Sequence, residues 1–222
     1  IPLYFLCYHI FYSEMITSEL NNMFNQFDTN DKSCHDMAIW LRLSLLNKVF
    51  SRGCGWIPYK TGIRKIHSVM QKYKGSDFPK KELFSVYFWH PLNFTEAVTE
   101  DNLDSFDQEY MFYLIYNGQP SIRNEDIDHI HPRIHLTRNE IDPLKINSIS
   151  NLQLLDYGTN RGAKNGKELC DWIENKIESS NKQDYLKRHL IPSDQKLWKT
   201  EAFDIFIQER SKLLANKIRD FL

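Results

Sequence analysis

The chain has 222 residues, of which 41% are hydrophobic, 14% aromatic and 26% charged. That length and aromatic content can bury a sizeable core, as one large domain or two small ones, and they exclude a disordered or low-complexity chain. With 28 Lys and Arg against 29 Asp and Glu, net charge alone points to no class of partner.

The chain opens on Ile1 with an apolar run, IPLYFLCYHIFY, that is too short to span a bilayer, is interrupted by His9 and lacks the basic start of a signal peptide. It predicts a buried helix, extending over about 1–25, within a longer polypeptide. A second helix is expected over 36–51, where MAIWLRLSLLNKVF is the most apolar stretch and Gly53 and Gly55 mark its end.

The next helix is amphipathic. Tyr59, Ile63, Ile66, Met70 and Tyr73 recur at helical spacing, and Lys60, Arg64, His67, Gln71 and Lys74 follow the same rhythm on another face. It lies in a basic block, Arg42 to Lys81, with ten Lys/Arg against one acid, Asp77. From Glu82 to Asp128 the balance reverses, to ten Asp/Glu against one base, Arg123. Such blocks either form solvated faces that pair across the fold or set a nucleic-acid track beside a metal site. Further helices are expected near 80–90 and 107–117. Turn chemistry at Gly118-Gln119-Pro120-Ser121 suggests a boundary, dividing the chain into a helical region 1–120 and a second region 121–222.

Between 125 and 165 the pattern becomes distinctive. Glu125-Asp-Ile-Asp-His-Ile-His-Pro132 and Ile146-Asn-Ser-Ile-Ser-Asn-Leu-Gln-Leu-Leu155 are short enough for strands, and Gly158-Thr159 precedes a new helix. The local expectation is strand, long loop, strand, helix. Beyond it, helices are predicted over 167–178 and 182–189, broken by Ile191-Pro192. A last helix over 198–222 carries Phe203, Phe206, Ile207, Leu213, Leu214 and Ile218 as a core stripe. The four cysteines, Cys7, Cys34, Cys54 and Cys170, form no C-x-x-C pair and are read as free thiols in a reducing compartment.

The residue types at 128–164 suit phosphodiester hydrolysis. His129 offers an imidazole, the side chain most often used to take a proton from water. Asp128 offers a hard anionic oxygen and Asn160 a neutral one, a pair suited to one divalent cation, Mg²⁺ or Mn²⁺. On a regular strand Asp128 and His129 face opposite ways, so the strand must end or bend there, which Pro132 allows.

Asp128-His129-Ile130-x-Pro132, Asn151 and Asn160-Arg161-Gly162-x-Lys164, in that order, resemble the HNH, or ββα-metal, endonucleases. Tyr185-Leu-Lys-Arg-His-Leu-Ile-Pro192 and Phe203-x-x-Phe206-Ile-x-x-Arg210 are similar to the C-terminal nuclease half of GmrSD-type modification-dependent restriction endonucleases. The resemblance implies a mainly α-helical, α+β chain around a small ββα-metal core. It implies His129 as general base, Asn151 as the residue that braces the loop and orients the base, and Asp128 and Asn160 as ligands of one Mg²⁺ or Mn²⁺. Arg161 and Lys164 would meet the DNA backbone, with Lys60 and Arg64 of the basic helix as further DNA contacts. It further implies a cytoplasmic, metal-dependent DNA endonuclease in phage restriction. An N-terminal nucleotide-hydrolysing sensor domain of the same polypeptide would be its partner, with no membrane association and with homo-oligomerisation left open. His131 departs from the family pattern, and with His129 and His135 it leaves a zinc metallohydrolase as an alternative. A non-catalytic DNA-binding module is the other.

Overall fold

The computed structural model describes residues 2–13, 32–50, 62–88, 94–117 and 125–222. They fall into two compact units, Ile1–Ala97 with Phe221–Leu222, and Val98–Asp220.

In the first unit, helices α1 (Pro2–Ser13), α2 (Lys32–Leu46), α3 (Arg64–Lys72) and α4 (Lys80–Phe88) surround Trp40 and Tyr87, both without solvent exposure. Phe5, Met37, Leu46 and Ile66 complete this core, and the Tyr87 hydroxyl is satisfied by Ser44 Oγ at 2.9 Å. Burial of its ring drives the Tyr87 hydroxyl well above the ordinary tyrosine range. The opening helix, expected to be buried, is buried along one face. Phe5, Leu6 and His9 are buried, whereas Leu3, Tyr4 and Phe11 face outward. In α3 the apolar stripe buries Ile66 and Met70, and Arg64 and Lys65 are exposed. Tyr59, Lys60 and Cys54 lie outside the described residues, while Cys7 and Cys170 are free thiols and Cys34 is buried. Among the described residues no helix is long and apolar enough to cross a membrane.

The second unit is built on a long terminal helix. A 3₁₀ turn, Glu100–Ser105, and α5 (Gln108–Ile115), whose first turn is capped by Asp107 Oδ1 at 2.8 Å from Tyr110 N, both pack against this helix at Phe203–Arg219. Leu103, Met111, Phe112 and Leu114 are buried there. The division between units therefore falls at Ala97/Val98 rather than near 118–124. Hydrophobic burial ties 98–117 to the C-terminal unit, and local turn chemistry carries no information about which core a helix joins.

Strands β1 (Glu125–His129) and β2 (Leu152–Asp156) form a two-stranded antiparallel sheet in which Asp128 faces Gln153 and His129 faces Leu152. Among the described residues the chain is thus mainly helical with a small two-stranded sheet, an α+β arrangement. Between the strands the expected long loop is largely helical: α6 (Arg133–Arg138), α7 (Pro143–Ile146) and a 3₁₀ turn, Ile149–Asn151. Asp142 caps α7 through Leu144 N at 2.9 Å, with Pro143 at its first position, an N-terminal signature of a helix. A π-helix, Thr159–Lys164, follows β2, then α8 (Leu169–Asn175), α9 (Lys182–Arg188) and the terminal α10 (Phe203–Arg219). Ile130, Trp172, Ile173, Leu186, Trp198 and Phe206 pack together in one hydrophobic core.

Candidate active site

The end of β1 is fixed by one side chain. Asn151 is wholly buried; its Oδ1 accepts His131 N at 2.9 Å, and its Nδ2 donates to Ile146 O at 2.9 Å and His131 O at 3.2 Å. These bonds serve backbone groups that leave the strand ladder after Ile130, whose N–H still reaches Asn151 O at 2.7 Å. Asn151 thus pins the 130–132 turn to the segment before β2, and its side-chain hydrogen bonds go to backbone groups rather than to the His129 ring.

The His129 ring is held by a different asparagine. His129 Nε2 lies 3.1 Å from Asn147 Oδ1, and Asn147 Nδ2 donates to Pro143 O at 2.9 Å. The second bond fixes the amide with its oxygen toward His129. Nε2 must therefore carry the proton, and the ring's lone pair is left on Nδ1. Asn147 is a residue of the candidate site that the sequence did not announce. Its position depends on the capped turn of α7, and the Asp142-Pro143 pair is the signal for that turn.

Asp128 leaves the strand on the other face, toward Gln153. Its Oδ2 accepts two donors, Gln153 Nε2 at 3.0 Å and Lys164 Nζ at 2.5 Å. Among the described residues nothing donates to Oδ1. Lys164 Nζ also donates to His129 O at 2.5 Å. Gln153 is wholly buried, and its Oε1 accepts the Tyr185 hydroxyl at 2.9 Å. Lys164 is 1% exposed, and burial lowers its pKa from the ordinary lysine value against the pull of Asp128. The expectation that Lys164 meets a DNA phosphate is therefore corrected: its ammonium points into the protein and serves the Asp128-His129 strand end.

Asn160 sits one turn before Lys164 in the π-helix, which is closed by Asn165 N to Asn160 O at 3.1 Å. Its side chain is half-buried and makes no hydrogen bond among the described residues. Asp156 starts this helix by accepting Thr159 N at 2.9 Å, and the Thr159 hydroxyl and N–H hold the Asp156 carboxyl below its usual range. Because Lys164 is bonded to Asp128, the helix bearing Asn160 lies against the strand bearing Asp128. Arg161 is exposed; its guanidinium lies 4.1 Å over the Tyr157 ring, donates to Tyr157 Oη at 2.9 Å and pairs with Asp126 at 3.3 Å. Arg64 is exposed at the start of α3 in the first unit, and Lys60 lies outside the described residues.

The three imidazoles proposed for zinc do not converge. His135 Nε2 is 3.0 Å from Gly166 O, and His129 is held by Asn147. His131 is 1% exposed and packs edge-on against Phe203 and Phe206 at 5.5 and 4.5 Å. Among the described residues no group of three or more His, Cys, Asp or Glu could hold a metal ion. The zinc alternative is therefore set aside. A cation at this site would rest on one carboxylate and the neutral oxygen of Asn160, and that sparse, hard donor set suits Mg²⁺ or Mn²⁺. Compared with known proteins, the chain matches no protein-family model and no curated protein sequence.

Proposed function

We propose that the chain is the nuclease part of a divalent-metal-dependent DNA endonuclease of HNH type, acting in a cytoplasmic defence against phage DNA. One observation carries this reading. The ordered set Asp128-His129, Asn151 and Asn160-Arg161 lies on a strand–strand–helix frame in which, among the described residues, nothing donates to the His129 Nδ1 lone pair or to Asp128 Oδ1.

Each residue then has a distinct task. His129 accepts the proton of the attacking water at Nδ1, and Asn147 keeps Nε2 protonated through the step. Asp128 Oδ1 and the Asn160 carboxamide are the ligands for one Mg²⁺ or Mn²⁺, which when bound supplies Lewis-acid polarisation of the phosphate and charge stabilisation at the leaving oxygen. Asp128 and His129 project from opposite faces of β1, so a scissile phosphate that meets both lies across the strand end, beyond His129. Arg161, stacked on Tyr157, offers a pre-oriented guanidinium to the DNA backbone. A sensor domain on the same polypeptide would select modified DNA.

The decisive experiment is nicking of supercoiled plasmid with Mg²⁺ or Mn²⁺. His129→Ala is expected to lower the cleavage rate on the order of 10²- to 10⁴-fold, with the circular dichroism spectrum and DNA affinity unchanged. Cleavage by that variant at the wild-type rate refutes the assignment.

A further inference from the structure

We infer that Tyr185, Gln153 and Lys164 form an internal brace that presents one chosen oxygen of Asp128, Oδ1, and holds the strand end against the helix of Asn160. The inference deepens the nuclease reading and rests on it. The three are positioning residues, since none faces substrate.

The direction of the brace follows from hydrogen-bond chemistry. The Tyr185 hydroxyl donates to Gln153 Oε1, so the buried amide turns its NH₂ toward Asp128. A reversed amide would set two acceptors 3.0 Å apart at Asp128, and that clash fixes the direction. The Tyr185 phenol stays protonated because burial raises its pKa. Lys164 adds a second donor to the same oxygen and a bond to His129 O. An ion pair that served stability alone has no reason to concentrate both donors on one carboxylate oxygen. Here Oδ2 is occupied twice and Oδ1 is left to accept an external partner. The bond to His129 O also couples the backbone of the base to the helix, so one ammonium sets the spacing of three functional residues.

Two rival roles for Lys164 predict different behaviour. As a phosphate contact it would contribute to DNA affinity and to its salt dependence. As a stand-in cation blocking the site it would weaken metal binding. The test uses the full chain, Mn²⁺ as the probe, calorimetry for Mn²⁺ affinity, DNA binding in chelator across a salt series, and nicking rates.

Gln153→Leu is expected to weaken Mn²⁺ binding about 10- to 100-fold, as loss of an outer-shell partner does. Tyr185→Phe, which keeps the ring packing, is expected to weaken it in the same direction by a smaller factor. Lys164→Met is expected to lower kcat with KM for DNA, DNA affinity and salt slope unchanged. Faster cutting and tighter Mn²⁺ binding by Lys164→Met would identify a blocking cation and overturn the brace. A salt slope reduced by about one would identify a phosphate contact and overturn it too. If Asp128→Ala abolishes Mn²⁺ binding while Gln153→Leu and Tyr185→Phe bind it as wild type does, the brace fails and the nuclease reading stands. If Asp128→Ala binds Mn²⁺ unchanged, the nuclease reading fails and takes the brace with it.

Discussion

Two asparagines four positions apart divide the work at the end of β1. Asn151 is buried and holds three backbone groups, so Asn151→Ala leaves a buried N–H and two carbonyls without partners. At about 1–3 kcal/mol for an unsatisfied buried group, with partial relaxation, the variant should lose roughly 2–5 kcal/mol of stability. Asn147 lies at the surface and holds the imidazole. Asn147→Ala should change stability little, yet lower the nicking rate about tenfold to a hundredfold through a misoriented base. Urea denaturation midpoints measured beside nicking rates check both; a stability loss at 147 and none at 151 would reverse the assignment. The sequence made Asn151 visible as one member of an ordered set, but assigned it both tasks. Separating them requires knowing which amide the 143–147 turn points at His129, and no local pattern contains that.

At the scale of elements, the sheet, α8, α9 and α10 follow from periodicity and turn residues, while the 130–151 connection does not. Its helices are too short for a 3.6-residue repeat to emerge, so only the Asp142-Pro143 cap betrays them. The segment Ile146–Asn151 reads as strand because it runs directly into the apolar Leu152–Leu155, yet Ser148 and Asn151 spend their polar atoms on the local backbone and the ladder begins only at Leu152. Helix α10 shows the converse. Its apolar stripe is legible, and Phe203, Phe206, Leu214 and Ile218 are buried as expected, whereas Leu213 is partly exposed. Arg210, which closes the Phe203-x-x-Phe206-Ile-x-x-Arg210 pattern, is fully buried in the structure. Its guanidinium reaches His189 O, at 3.1 and 3.3 Å, and Ile149 O at 3.0 Å, joining α10 to the C-terminal end of α9 and to the turn before β2. The negative end of the α9 dipole helps to offset this buried charge, whose pKa burial lowers to about 10. Arg210→Met should cost about 3–5 kcal/mol, because carbonyls oriented toward a cation are stranded. Arg210→Lys should cost less, since one ammonium recovers part of the charge but not the forked geometry. Equal denaturation midpoints for wild type and Arg210→Met would show that the guanidinium does not bind these elements together.

Across the whole molecule, the acidic stretch read from the sequence is largely consumed inside the second unit. Asp104 accepts Ile149 N, Asp107 caps α5, Glu125 pairs with Arg188, Asp126 with Arg161 and Asp128 with Lys164. Local net charge is therefore a poor guide to surface potential here, and the acid response of this unit should be set by its buried histidines instead. Burial holds both His131 and His189 neutral, lowering each from 6.5 to about 3. The Lys164 and Arg210 charges add to the effect at His131, where the Leu197 backbone opposes it slightly; at His189 the charges of Arg210, Arg188 and Lys164 add to it. His189 Nδ1 lies 2.8 Å from the Tyr116 hydroxyl, which itself accepts Leu154 N at 3.0 Å, so the neutral ring belongs to a satisfied network. A histidine with a depressed folded pKa contributes nothing to the pH dependence above its unfolded value. Below pH 6.5 the unfolded chain takes up protons that the folded unit refuses, so stability falls as pH drops toward about 3. The limiting slope is about 1.4 kcal/mol per pH unit for each ring. Amide exchange in β2, followed between pH 7.5 and 5, should therefore show opening free energies that shrink by roughly 2–4 kcal/mol once intrinsic exchange is corrected for. His131→Leu, which fits the apolar contact with Phe203 and Phe206, should halve that slope. A pH-independent opening energy in the wild type, or an unchanged slope in His131→Leu, would mean that the folded unit admits the proton and that the ring is not sealed beneath α10.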